Sequence, residues 1–151
     1  ARNKKRNDNC IYLSEKLATC GIEPFLAPDD VTRVYFEFLV RYNEESIGLP
    51  INDLANALQA EGALVAAPRY PLLHQQPVFT HGAWSKIARL PATKENPLHL
   101  YDPADLPATT LGNGSLLKLP AFPSATTELL DQYAEAFSKV ISHADEIPRS
   151  D

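Results

Sequence analysis

Hydrophobic and polar positions recur along this chain with two periods, and between them lies one long stretch with neither. Residues 3 to 20 follow a helical spacing, with Leu13 and Leu17 four apart and Cys10 and Cys20 extending the same side. Gly21 stands where a left-handed cap residue belongs, and Pro24 and Pro28 bar continuation. Residues 33 to 42 alternate strictly, which predicts a strand. Val34, Phe36, Phe38 and Val40 point one way, and Tyr35, Glu37, Leu39 and Arg41 the other. Residues 51 to 61 return to a helical period through Ile51, Leu54, Ala55 and Leu58. Pro50 suits the first turn and Gly62 the stop. A short run from Ala63 to Ala67, bounded by Pro68, predicts a second strand.

The irregular stretch covers residues 68 to 115. Prolines at 68, 71, 77, 91, 97, 103 and 107 exclude long regular elements, leaving room for a helical turn or two near Ala83 to Arg89. A loop of this length within a domain is functional or disordered. Phe79, Trp84, Leu98, Leu100 and Tyr101 argue for order, because such groups gain by packing. Leu116 to Leu119 then predicts a third strand, and Ser124 an N-cap for a last helix from about Ala125 to His143. Leu129, Leu130, Tyr133, Phe137, Val140 and Ile141 form that helix's apolar face. The order of elements implies an α+β fold, a small, mostly antiparallel sheet with helices packed on it. The first helix has few large apolar residues. It reads as a connector to something absent, with Tyr12, Leu13 and Leu17 as an exposed apolar patch.

Composition adds limits. A length of 151 residues with 44% hydrophobic and 22% charged residues fits one globular domain with a sizeable core. A net charge of -5 argues against a general nucleic-acid binder. The one basic cluster, Arg2, Lys4, Lys5 and Arg6, reads as a solvated helical turn. No apolar run approaches the ~20 residues that span a bilayer, and no apolar segment follows the basic start as in a signal peptide. The expectation is a soluble, cytoplasmic chain. Cys10 and Cys20, on one helix, stand roughly 15 Å apart, beyond disulfide reach. The chain has no Met and begins with Ala, which reads as an N-terminus cut, engineered or left out.

Candidate chemistry is sparse outside the proline-rich stretch. His74, His81 and His99 lack metal-ligand spacing, so no metal site is expected. Gly112-Asn113-Gly114 lacks the Lys-Ser/Thr of a phosphate loop and reads as a turn. Ser85 and Ser115 have no nucleophile-elbow context. The distinctive segment is Ala67-Pro-Arg-Tyr-Pro-Leu-Leu-His-Gln-Gln-Pro-Val-Phe79. Here His74 could donate to a sugar hydroxyl or phosphate oxygen, or pin its own loop through a backbone carbonyl. Arg69 could clamp a carboxylate or phosphate with its planar fork. Tyr70 stands beside it, and Gln75 and Gln76 could read hydroxyls or serve as scaffold.

This segment resembles the Tyr-Pro-Leu-His-x-Gln-Pro stretch of the DegT/StrS-type sugar aminotransferases, which are fold-type-I enzymes dependent on pyridoxal phosphate. The flanks agree in order. Tyr35, Phe38 and Val40 match the family's preceding strand, and Leu54, Ala57, Leu58 and Gly62 its helix. Leu119-Pro120 and a terminal amphipathic helix follow. The resemblance implies residues 1–24 as a connecting helix from an absent large domain, 25–147 as a small C-terminal domain and 148–151 as a tail. It implies a parent that transfers an amino group from glutamate or glutamine to a keto sugar or cyclitol and works as a homodimer. His74, Arg69, Tyr70 and Gln75 would contact the substrate. The lysine that holds the pyridoxal phosphate lies upstream in the family, so this chain alone is expected to be inactive. The alternative is a non-catalytic small-molecule or partner-binding module with the same fold.

Overall fold

The computed structural model describes residues 2–28, 30–67, 70–83, 85, 100–102 and 104–150. Its elements in chain order are α1 (Arg2–Ala18), β1 (Glu23–Pro24), β2 (Phe38–Arg41), α2 (Glu44–Ile47), α3 (Ile51–Ala60), α4 (Pro77–Thr80), α5 (Pro107–Gly114), β3 (Leu116–Leu119) and α6 (Thr127–Ser142). The described residues divide into two compact units, one formed by residues 1–69 with 115–151 and the other by residues 70–114.

Helix α1 carries no acid in its first turn, and the charges there are all basic, which is the wrong sign for the helix dipole. Its stability comes from packing instead. Asn9, Cys10, Leu13, Ser14 and Leu17 form one buried stripe, laid against α6. The expected exposed patch is therefore corrected: Leu13 and Leu17 are fully buried, and the half-buried Tyr12 donates its hydroxyl to Asp131 at 2.8 Å. Sequence spacing undercounted this stripe because two of its members, Asn9 and Ser14, are polar. Ser14 satisfies itself by donating back to the Cys10 carbonyl at 2.7 Å. Asn9 Nδ2 reaches the carbonyls of Phe122 (2.8 Å) and Ala125 (3.2 Å), which ties α1 to the approach of α6.

The sheet has the order β1-β2-β3 with both pairings antiparallel. Phe38 stands opposite Leu119, and Arg41 opposite Leu116. Phe38, Val40, Leu117 and Leu119 turn inward. The strand is shorter than alternation predicts. A bend at Phe36 and Glu37 shifts the pattern by one residue, so Tyr35 is buried while Val34 is 61% and Phe36 81% exposed. The β2–β3 ladder stops at Phe38 opposite Leu119, and the next residue of that strand, Pro120, has no N–H to donate. The strand expected at 63–67 reduces to one bridge, Ala66 with Lys118, through backbone bonds of 3.0 and 2.8 Å.

Helices α3 and α6 close over the sheet. Lys139 holds both carboxylate oxygens of Glu61 at 2.8 Å, and the Tyr133 hydroxyl accepts from the Leu64 N–H at 3.0 Å. The N-cap of α6 is Thr126, whose side chain accepts from the Leu129 N–H, in place of the expected Ser124. Leu129 faces outward, while Leu130, Tyr133, Phe137 and Val140 are buried. Edge-to-face rings run through the core from Tyr35 to Phe38 (5.9 Å), Phe122 (6.5 Å) and Tyr133 (5.0 Å). In the second unit the Gly112-Asn113-Gly114 segment ends helix α5 instead of forming an isolated turn. The turn expected near Ala83 to Arg89 lies almost wholly outside the described residues, although Ala83 and Ser85 are helical. Among the described residues no helix is long and apolar enough to cross a membrane.

Two outcomes follow from this packing. Asn9→Ala leaves two carbonyls without their donor, and is expected to lower the unfolding free energy by about 1–3 kcal/mol in a urea titration. An unchanged midpoint would show that the Asn9 amide contributes nothing. Cys10 and Cys20 are both free thiols. Burial pushes the Cys10 thiol up to about 12, against the downward pull of Arg33 and Arg6. Since the thiolate is the nucleophile, an aromatic disulfide reagent near pH 8 should label Cys20 quickly and Cys10 only on unfolding. The raised Cys10 value also sets a sign. Its contribution to stability is full below the ordinary thiol value of 9.0 and is lost as pH rises through about 12.

Candidate functional site

The proline-rich segment begins its described part at Tyr70. Leu73–Gln75 form one turn of 3₁₀ helix and Pro77–Thr80 the short helix α4. Gln76 joins the two. Pro77 drives the residue before it into extended backbone, and Gln76 sits at φ -74, ψ 143. That conformation ends the 3₁₀ turn and starts α4, with Pro77 in the first helical position where no N–H is needed. The Gln76 carbonyl then accepts from the N–H groups of Phe79 (2.8 Å) and Thr80 (3.0 Å). Its side-chain Nε2 donates to the Leu72 carbonyl at 3.3 Å. Gln76 is therefore scaffold.

A 3₁₀ turn points successive side chains about a third of a revolution apart. Leu73 and Gln75 are accordingly exposed, and His74 between them is 5% exposed. Tyr70 is 61% exposed, and its carbonyl accepts from Asn113 Nδ2 at 3.5 Å. Tyr70, His74 and Gln75 thus share one short segment of the second unit, with two side chains outward and the histidine inward. Arg69 lies outside the described residues. The same unit packs Phe79 edge-to-face on Tyr101 at 5.9 Å, the aromatic order expected from composition.

Spacing rules had no means of finding a second concavity, in the first unit. A groove of about 530 Å³ runs between α3 and the end of α6, lined by Asp53, Ala57, Lys139, His143, Ile147 and Ser150 among others. Asp53 is buried and accepts from the Ser150 backbone N–H at 3.2 Å and from the Ser150 hydroxyl at 2.5 Å. Its partner lies 97 residues away in sequence, so nothing local to Asp53 announces the bond.

The lysines bear on cofactor chemistry. A lysine that forms a Schiff base works with a depressed pKa in a desolvated pocket. Lys4 pairs with Asp8 at 2.7 Å, Lys16 with Asp131 at 3.0 Å, Lys118 with Glu37 at 3.8 Å and Lys139 with Glu61 at 2.8 Å. Lys5 is exposed on α1. The hydrogen bond that Lys16 donates to Asp131 raises the Lys16 value. These are charged surface groups, and the described lysines do not fit a covalent pyridoxal phosphate site.

No protein-family model matches the chain, and no curated protein does. Solved structures do. A DegT DnrJ EryC1 StrS aminotransferase from Brucella abortus superposes with a TM-score of 0.65 at 16% identity, over 91% of this chain and 30% of its own. A protein of Streptococcus pneumoniae, Spr1654, described as a sugar aminotransferase and solved in its PMP form, gives a TM-score of 0.66 at 16% identity. There 94% of this chain and 31% of the other are covered. The chain thus spans about three tenths of the length of each of these two structures. Over that span, this chain has the fold of a DegT/DnrJ/EryC1/StrS aminotransferase.

Proposed function

We propose that this chain is the small C-terminal domain of a pyridoxal-phosphate-dependent aminotransferase acting on a keto sugar or cyclitol, with glutamate or glutamine as amino donor. The observation that carries the reading is the pair of superpositions, which take in more than nine tenths of this chain and about three tenths of each aminotransferase. In this reading residues 1–24 connect to the large domain, residues 25–147 form the small domain and residues 148–151 are a tail, and the parent is a cytoplasmic homodimer. Pyridoxal phosphate would supply the electron sink, held by a lysine of the large domain. Arg69, Tyr70, His74 and Gln75 would form one wall of the substrate pocket, the exposed Tyr70 and Gln75 offering hydrogen bonds to hydroxyls. The alternative is a non-catalytic small-molecule or partner-binding module with this fold.

Two measurements test these readings. The 151-residue chain mixed with pyridoxal phosphate should show no stoichiometric ~420 nm band after gel filtration. The polypeptide encoded by the whole gene should show one, and its failure to do so would favour the binding module. In that parent, His74→Ala should lower kcat/KM for the keto substrate by about ten- to a hundredfold, on the order of 1–3 kcal/mol, with less effect on the donor half-reaction and on the melting temperature. Unchanged kinetics with a melting point several degrees lower would make His74 a loop pin and withdraw it from the site.

A further inference from the structure

Beyond α6 the chain borders the groove between α3 and α6. After the single turn Ala144–Glu146, residues 147–150 adopt neither helix nor strand. Ile147 packs half-buried against the core, while Pro148, Arg149 and Ser150 are exposed. Ile147, Pro148 and Ser150 line one side of the groove, and Asp53 and Ala57 of α3 and Val140 of α6 line it too.

One residue fastens this stretch. Asp53 lies in the first turn of α3 and is 3% exposed. Ser150 supplies it with two donors. The backbone N–H of Ser150 stands 3.2 Å from each carboxylate oxygen, and its hydroxyl donates to Oδ1 at 2.5 Å. Among the described residues, the other hydrogen bond of residues 147–150 runs from the Ile147 N–H to the Ala144 carbonyl at 3.4 Å, within the adjoining turn. Arg149 is placed consistently with this fastening. Burial chiefly raises the value of the Tyr42 hydroxyl, and Arg149 is among the groups that lower it.

The energetics favour a closed state that can open. Hydrogen bonds to a carboxylate are stronger than those between neutral groups, and a buried carboxylate stripped of donors is costly. Yet no helix or sheet bond has to break for the stretch to leave. The space beside it is a groove of about 530 Å³, so water can enter and replace the donors of Ser150. A segment with few buried contacts and one anchor belongs to the low-stability end of a structure.

We propose that residues 147–150 are a strap, clasped to α3 by Ser150 on Asp53, which opens as a unit and controls access to the groove between α3 and α6. The strap and its clasp lie wholly within the first unit and are independent of the aminotransferase reading.

The test is amide hydrogen exchange of the 151-residue chain, resolved residue by residue. In the native chain the Ile147 and Ser150 amides should exchange about tenfold or more slowly than in an unstructured peptide. Ser150→Ala and Asp53→Asn should each speed exchange at positions 147 and 150 together, with the Leu58 and Phe137 amides unchanged. Glu61→Gln, which loosens the Lys139 pair in the same groove, should leave both strap amides as they were. Access is read from Ala57→Cys, which should react with a thiol reagent several times faster when combined with Ser150→Ala, the label being located by peptide mass. Should Asp53→Asn fail to fold, Ser150→Ala with an unchanged melting point decides alone. Unprotected amides at 147 and 150 in the native chain would overturn the proposal. So would faster exchange at 150 with 147 unchanged, or equal labelling of Ala57→Cys with the clasp intact and broken.

Discussion

The structure depends first on one buried amide. Asn9 stands in the middle of the stripe that α1 turns to the core, where an apolar side chain would ordinarily be. Its Nδ2 bridges the carbonyls of Phe122 and Ala125, more than 110 residues away in sequence. Phe122 holds a backbone φ of 47, in the left-handed region that a bulky side chain seldom enters. That conformation turns the Phe122 ring inward between Phe38 and Tyr133. The amide thus holds in place the residue at which sheet, α1 and α6 converge.

The same requirement explains why α1 behaves as a core element despite its composition. Its first turn opposes the helix dipole, and its apolar residues are few. Hydrogen bonds and ion pairs supply the difference: Tyr12 and Lys16 both reach Asp131, Ser14 reaches Cys10, and Arg6 reaches the Tyr35 carbonyl. An exposed ion pair such as Lys16 with Asp131 adds little on its own. A helix joined to its neighbours through Tyr12, Lys16 and Arg6, around fully buried Leu13 and Leu17, is part of the unit it precedes.

The candidate site obeys a different constraint. Prolines at 71 and 77 set backbone angles at the two ends of the segment, and Gln76 uses its carbonyl and its side chain to close the turns between them. The shape of the segment is therefore held by backbone bonds. Tyr70 and Gln75 face outward from it. Such an arrangement suits recognition, because side chains on a stiff loop lose little freedom on binding.

Periodicity by itself determined the helices at 51–60 and 127–142, the third strand and the α+β class, since each rests on a local repeat of apolar residues whose burial any compact fold must satisfy. The motif around His74 was legible for a related reason, because proline and its neighbours restrict backbone angles locally. Tertiary structure alone decided the rest. The bend at Phe36 and Glu37 reverses which of residues 34–36 face inward, just before the β2–β3 ladder begins at Phe38 opposite Leu119. The burial of Asn9, the bond from Ser150 to Asp53 and the bond from Arg6 to the Tyr35 carbonyl join residues far apart in the chain. A polar side chain looks the same in sequence whether its partner is water or a carbonyl a hundred residues away, and only the folded chain distinguishes the two.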